Sequence, residues 1–120
     1  EARKAQAERE AQMRAQLEAE ERQRQVQSAM NQYIPAIRRR VTQSWLRPSG
    51  VPEGLEVTLR VQMAAAGMVR NVSVVDSSGN SAFDNSAIRA VEKASPLPVP
   101  SDPDIAREFR DITFVFKPDE

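Results

Sequence analysis

The stretch Gly67–Pro100, GMVRNVSVVDSSGNSAFDNSAIRAVEKASPLPVP, decides the fold of this chain. Its first part predicts a strand with one buried face, because Val72 and Val74 alternate with Ser73 and Val75, and the strand ends at Asp76. The segment SSGN then supplies residues that favour turns and tolerate positive φ. The other segments of the chain can be placed against this stretch.

The same stretch continues with a short helix that begins at about Ser81. Asp84 follows Ser81 at the spacing of a capping box, so its carboxylate is expected in the first turn of the helix. The prolines of SPLPVP end the helix and force an extended exit, with Leu97 and Val99 turned inward. One face of the helix is apolar: Ala87, Ile88, Val91 and Ala94.

Composition excludes several functions. The 120 residues carry 17 basic and 17 acidic side chains and no net charge, which disfavours nucleic acid as a partner. The sequence has no cysteine and no histidine, so thiolate or imidazole catalysis, disulfides and most zinc sites are ruled out. It has no apolar run of membrane-spanning length, and it starts with Glu1 rather than Met. We expect a fragment of a longer protein.

Residues 1–25 are predicted to be the end of a charged helical stalk, and residues 26–120 a folded domain. The stalk consists almost entirely of strong helix formers, without Gly or Pro. Met13 and Leu17 are its only large apolar side chains, too few for the seam of a coiled coil. A solvated single helix that acts as a spacer is the preferred interpretation, and a disordered charged tail is the alternative.

An apolar stripe at helical spacing marks the start of the domain. Pro35 lies inside this stripe, so the sequence predicts a kink near Asn31 or a new helix that starts there. The helix is expected to end at Arg47–Gly50, where Pro48 and Gly50 interrupt it. The stripe comprises Val26, Met30, Tyr33, Ile34, Ile37, Val41, Ser44 and Trp45.

Three strands complete the predicted fold. Apolar residues alternate from Leu55 to Met63, and a short link returns the chain antiparallel over Met68–Asp76. The third strand covers Phe109–Lys117, with Ile112, Phe114 and Phe116 on one face. The fold class is therefore a two-layer α+β domain of order helix-strand-strand-helix-strand, with helices on one face of a three-stranded antiparallel sheet. If the first strand is central, the other two are both edges.

The sequence favours binding over catalysis. Asp76, Asp84 and Asp111 are carboxylates near turns or strand ends of the folded part, and Asp84 is better explained as a helix cap. No phosphate loop and no metal-ligand spacing occurs, so no catalytic residue, cofactor or metal is expected. An unpaired strand edge, by contrast, can accept a partner segment as an additional strand.

The segments SSG, FD and SAIRAVEKASPLPVP, together with the closing F-x-F strand, resemble the TonB/TolA C-terminal domain family over about Asn31–Lys117. The resemblance implies a small antiparallel sheet with helices on one side. It also implies a non-catalytic periplasmic domain of an inner-membrane-anchored protein of the Tol-Pal system, which couples inner-membrane energy to the outer membrane. The implied partners are TolB, Pal and inner-membrane Tol proteins, with bacteriocins and filamentous phage coat proteins as parasitic ligands.

The third strand is the longer and more aromatic edge, and the predicted partner-binding residues lie along it. They are Phe109, Arg110, Asp111, Ile112, Thr113, Phe114, Val115 and Phe116. A TonB-type domain that grips outer-membrane transporters is one alternative, although TonB spacers are proline-rich and this chain has no proline before Pro35. A structural oligomerisation domain, in which the edges of two copies pair, is the other.

Overall fold

The computed structural model describes residues 2–119, so Glu1 and Glu120 lie outside the described residues. The chain begins with one long helix and ends with a strand. In order, the elements are α1 (Ala2–Ser44), β1 (Val57–Met63), a 3₁₀ turn (Ala65–Gly67), β2 (Val69–Asp76), α2 (Ser81–Ala94), the single-turn α3 (Pro103–Ala106), a second 3₁₀ turn (Arg107–Phe109) and β3 (Asp111–Phe116).

The three strands form an antiparallel sheet in the order β2-β1-β3. The predicted fold class is confirmed, and β1 is the central strand. Strand β1 alternates between a buried face and a face that is half-buried or exposed. The buried face carries Val57, Leu59, Val61 and Met63, which join the core formed with the helices. Because the opposite face has no covering layer among the described residues, Arg60, Asn71, Ser73 and Thr113 are exposed there.

Helix α1 continues through Pro35 as one element, so the expectation of a new helix near Asn31 is wrong. A proline inside a helix removes one hydrogen bond and costs about 3 kcal/mol. Packing on both sides offsets that cost, because Ile37 and Val41 are completely buried and Ile34 is half-buried. Residues 2–25 are all exposed, whereas contact with the core begins at Val26.

The turn between β2 and α2 differs in detail from the prediction. Asn80, rather than Ser81, caps the helix, and its side-chain oxygen accepts a hydrogen bond from the Phe83 amide at 3.1 Å. Asp84 is buried and reaches back to the turn, where it accepts hydrogen bonds from the Ser77 hydroxyl and from the amide and hydroxyl of Ser78. Asp84 therefore fixes the turn instead of completing a capping box.

The proline-rich exit from α2 crosses the 3₁₀ turn between β1 and β2. Leu97 is buried, as predicted, and its amide donates to the Gly67 carbonyl at 2.8 Å. Gly67 has φ +80°, and a Cβ atom at this position would lie 2.0 Å from the Leu97 carbonyl oxygen. Only glycine permits this close approach of two backbone segments.

Gly67→Ala is expected to destabilise the domain by about 3 kcal/mol or more, because both the positive φ and the collision with Leu97 oppose it. Gly79→Ala is the matched control, since Gly79 has φ +89° and a Cβ atom there would meet no other group within 4 Å. The control should cost only about 1–2 kcal/mol in urea unfolding. Equal losses for the two variants would show that the Gly67 contact with Leu97 is unimportant.

Asp84 should make the stability of the domain depend on acidic pH. Burial alone would raise the pKa of Asp84, but the hydrogen bonds from Ser77 and Ser78 outweigh it and hold that pKa below its ordinary value. A lowered folded-state pKa stabilises the domain above the unfolded-state pKa, and this contribution disappears as the pH falls through the folded-state value.

Asp84→Asn should therefore lower the free energy of unfolding by about 1–3 kcal/mol at neutral pH. The difference from the original chain should shrink as the pH falls below about 4. Asp76→Asn, at an exposed position, should change stability by less than about 0.5 kcal/mol. Denaturant unfolding over a pH series measures the free energy of unfolding of the original chain and of both variants. If the loss caused by Asp84→Asn does not change with pH, the Asp84 carboxylate does not stabilise the domain through a lowered pKa.

Removal of residues 1–25 should leave the melting temperature of the remaining domain almost unchanged. The only ion pair that joins the described part of this segment to the rest is Arg22 with Asp104, at 3.7 Å and with both side chains more than half exposed. Such a pair contributes about 0–1 kcal/mol. Differential scanning calorimetry of the shortened and full chains tests this, and a large loss would show that the segment is part of the folded domain.

Candidate functional site

The outward main-chain groups of β3 follow from its register with β1. The Met63 amide donates to the Arg110 carbonyl at 2.8 Å, and Val61 lies opposite Ile112. In an antiparallel ladder, every second residue directs both its N–H and its C=O toward the neighbouring strand. The main chains of Ile112, Phe114 and Phe116 and the carbonyl of Arg110 therefore face β1, whereas the main chains of Asp111, Thr113 and Val115 face away from the sheet. The Arg110 amide instead donates to the Arg107 carbonyl at 3.2 Å.

The side chains of β3 alternate between core and solvent. Ile112, Phe114 and Phe116 are buried, as predicted, and Asp111, Thr113 and Val115 are exposed. The Asp111 carboxylate accepts two hydrogen bonds from the Arg60 guanidinium on the solvent face, one of them from Nε at 2.9 Å. This guanidinium holds the pKa of Asp111 below its ordinary value. The backbone edge, rather than any β3 side chain, is what this strand offers to a partner.

Two of the eight predicted site residues lie outside the strand. Phe109 ends the 3₁₀ turn and is completely buried, and Arg110 connects that turn to β3. The prediction that the strand starts at Phe109 is therefore wrong by two residues, because the helical turn begun at Pro103 extends to Phe109. Among the eight, only Asp111, Thr113 and Val115 direct main-chain groups outward.

The other edge strand, β2, is less suited to strand addition. Its register with β1 shifts twice, which leaves Arg70 and Val75 as extra residues without a partner on β1. Such bulges twist an edge and interrupt its regular row of hydrogen-bonding groups. The Val69 amide at the start of β2 is also occupied, since it donates to the Ser95 hydroxyl at 3.0 Å. Strand β3 pairs with β1 over all six of its residues without a shift.

A groove runs beside the outer edge of β3, with α1 as its second wall. Its volume is about 690 Å³. The strand contributes Asp111, Ile112 and Thr113 to the lining. The helix contributes one stripe, Gln27, Met30, Asn31, Ile34, Pro35 and Arg38. An additional strand beside β3 would lie in this groove, with alternate side chains against α1.

Two aromatic contacts fix the direction of α1 relative to the segment Phe109–Phe116, which contains β3. Tyr33 packs edge-to-face against Phe109, and Trp45 packs edge-to-face against Phe116, each with ring centroids 5.9 Å apart. The earlier residue of the helix segment, Tyr33, contacts the earlier residue of the strand segment, Phe109, and the later Trp45 contacts the later Phe116. The two segments α1 and β3 therefore run in the same direction. The α1 wall and the β3 edge are therefore parallel where Asp111, Ile112 and Thr113 line the groove.

Reasoning from the sequence misses the α1 wall of this site. The helical spacing places Met30 and Ile34 on the core-facing stripe, but both are only half-buried, unlike Ile37 and Val41. The stripe in the sequence does not distinguish these two positions from the buried ones, because all of them lie at the same helical spacing. Pro35, expected to kink or break the helix, lies within the unbroken α1 and lines the groove.

The described residues contain neither a metal centre nor a membrane-spanning helix. No group of three or more acidic, histidine or cysteine side chains within residues 2–119 is arranged to hold a metal ion. Over the same residues, no helix combines the length and apolar composition that crossing a bilayer requires. Fold and groove together define a small α+β domain whose candidate site is an open strand edge of the kind that binds extended peptides.

Comparison with known proteins gives the family. The model of the "TonB C terminal" family matches residues 30–116, which include the whole sheet and, except for Gln27, the residues that line the groove. The chain belongs to this TonB C-terminal family. Its resemblance to the TolA C-terminal domain within this family, expected from the sequence, is confirmed by the relatives described next.

The Tol-Pal system protein TolA of Pseudomonas aeruginosa is 38% identical over 58 residues. That match covers 48% of this chain and 17% of that TolA, so the chain spans a small part of this relative's length. The solution structure of TolAIII bound to a peptide derived from the N-terminus of TolB has a TM-score of 0.63 and 31% identity, over 72% of each chain. A TolA C-terminal domain structure at 21% identity shares the fold, with a TM-score of 0.57 over 78% of this chain and 93% of the other.

Proposed function

We propose that this chain is a non-catalytic protein-protein interaction domain that binds an extended partner segment along the outer edge of β3. The observation that carries the proposal is the regular row of outward main-chain groups at Asp111, Thr113 and Val115, beside a groove walled by α1. A partner strand would complete these hydrogen bonds and place every second side chain in the groove.

The partner that the relatives favour is the N-terminal segment of TolB. A TolAIII domain 31% identical to this chain has been solved in complex with such a peptide. An N-terminal segment suits an edge site, because a chain end can be extended without unfolding the rest of the partner. We therefore assign the chain to the Tol-Pal system as a TolA-type domain.

The cellular setting of the proposal follows from the same family. We propose that the domain lies in the periplasm and that the full-length protein is anchored in the inner membrane. Residues 1–25 would then be the end of the stalk that connects the anchor to the domain. The charged, proline-free composition of that segment supports the TolA type over the TonB type. Pal, bacteriocins and filamentous phage coat proteins are further proposed ligands, supported by the family resemblance alone.

Thr113→Pro is expected to abolish binding of a TolB N-terminal peptide while leaving the fold intact. Proline removes the outward N–H of Thr113 and obstructs the approach of another strand, but the hydrogen bonds between β3 and β1 do not use that amide. Val74→Pro is the matched control on the other edge. Val74 lies opposite Leu59, and the main chain of Leu59 faces β3. The amide of Val74 therefore points away from β1, to the outer side of β2.

Isothermal titration calorimetry measures the affinities, and circular dichroism checks that both variants remain folded. The proposal predicts binding that is lost in Thr113→Pro and retained in Val74→Pro. The reverse pattern would move the site to β2. Retained binding in both folded variants would contradict strand addition at either edge.

A further inference from the structure

The groove beside β3 also has chemical features that would select the sequence of a bound strand. This inference rests on the proposed function, because it takes the partner to be an extended segment beside β3. Residues of such a strand alternate between the solvent face and the helix face of the sheet. Those on the helix face would contact the groove-lining stripe of α1, so this stripe determines which side chains fit.

The first part of the stripe is apolar. Met30 and Ile34 are half-buried and line the groove together with Pro35 and the β3 residue Ile112. At the start of the stripe, the Gln27 side-chain NH₂ donates to the Asn31 side-chain carbonyl at 2.9 Å, which satisfies one polar group of each side chain. An aliphatic side chain placed over Ile34 would remove apolar surface from water on both itself and α1.

The last part of the stripe is positively charged. Arg38 is exposed and lines the groove, and it forms no ion pair with any residue in the described part of the chain. The nearby carboxylate of Asp111 belongs to the opposite face of the sheet, where it is held by Arg60. The groove therefore presents an unpartnered guanidinium to the helix face of a bound strand.

The spacing of these two features matches the repeat of a strand. Ile34 and Arg38 are four residues apart on α1, which corresponds to a rise of about 6 Å. Two residues of a strand on the same face are separated by about 6.6 Å. Since α1 and β3 are parallel, a strand beside β3 can place one side chain over Ile34 and the next on that face beside Arg38.

We propose that the groove selects a partner strand carrying an aliphatic residue and an acidic residue two positions apart, the first over Ile34 and the second paired with Arg38. The order of the two reports the direction of the strand. A parallel partner carries the aliphatic residue first, because Arg38 lies toward the C-terminal end of β3. An antiparallel partner carries the acidic residue first.

The test uses short, terminally blocked peptides in which threonine occupies every second position. Each peptide contains either isoleucine-threonine-glutamate or the reverse order, glutamate-threonine-isoleucine. Each has two variants, glutamine in place of glutamate and threonine in place of isoleucine. Calorimetry should show that one order binds better. In that order, the loss of the carboxylate should weaken binding about two- to fivefold at low salt, and the loss of isoleucine about three- to tenfold.

Arg38→Gln in the domain should remove the preference for glutamate over glutamine, whereas Arg39→Gln, one position away and outside the groove lining, should retain it. The preference should also shrink at high salt, because exposed charge pairs are screened. A glutamate preference that persists in Arg38→Gln, or equal binding of all peptides, would overturn the proposed selectivity.

The Thr113→Pro variant distinguishes failure of the proposed selectivity from failure of the proposed strand addition at β3. If the peptides bind the original chain and not Thr113→Pro, but show no dependence on Arg38, strand addition stands and only the selectivity is wrong. If the peptides and the TolB segment bind neither protein, or bind both equally, the strand-addition site itself is wrong.

Discussion

The rest of the structure depends on the aromatic contacts that join α1 and the following Trp45 to the segment Phe109–Phe116. Trp45 contacts both Phe116 and Phe83 edge-to-face, and its indole N–H donates to the Ser86 hydroxyl at 2.9 Å. This cluster joins the end of α1, the start of α2 and the end of β3. With the second contact, Tyr33 against Phe109, it fixes the long helix parallel to the strand edge. Folding and the formation of the groove are thus consequences of the same contacts.

The order of the sheet explains why the site lies at an edge. A sheet of three strands has two edges, and this domain protects them unequally. Bulges and the Ser95 hydroxyl disturb β2, whereas β3 keeps a straight ladder and a groove beside it. Its buried aromatic side chains anchor the strand, so its outer main-chain groups are held in position before a partner arrives, which lowers the entropic cost of binding.

Most of the fold could be predicted from the sequence, because alternating and helical spacing reports directly which faces are buried. This worked for β1 and for the apolar face of α2. It failed where a residue serves a neighbouring segment: Asp84 fixes the preceding turn, and Pro35 stays within a helix because burial of Ile37 and Val41 compensates for its lost hydrogen bond. The site could be predicted only in part, since which β3 amides face outward depends on register, and the α1 wall depends on tertiary packing.

Amide hydrogen exchange measured by NMR, with and without a TolB N-terminal peptide, tests strand addition at β3 most directly. We expect the amides of Asp111, Thr113 and Val115 to exchange rapidly in the unbound domain and to become protected in the complex. Those of Ile112 and Phe114 should be protected in both states, because they bond to β1. Protection gained at Val72 and Val74 instead, or no change at the three outward β3 amides, would contradict strand addition at this edge.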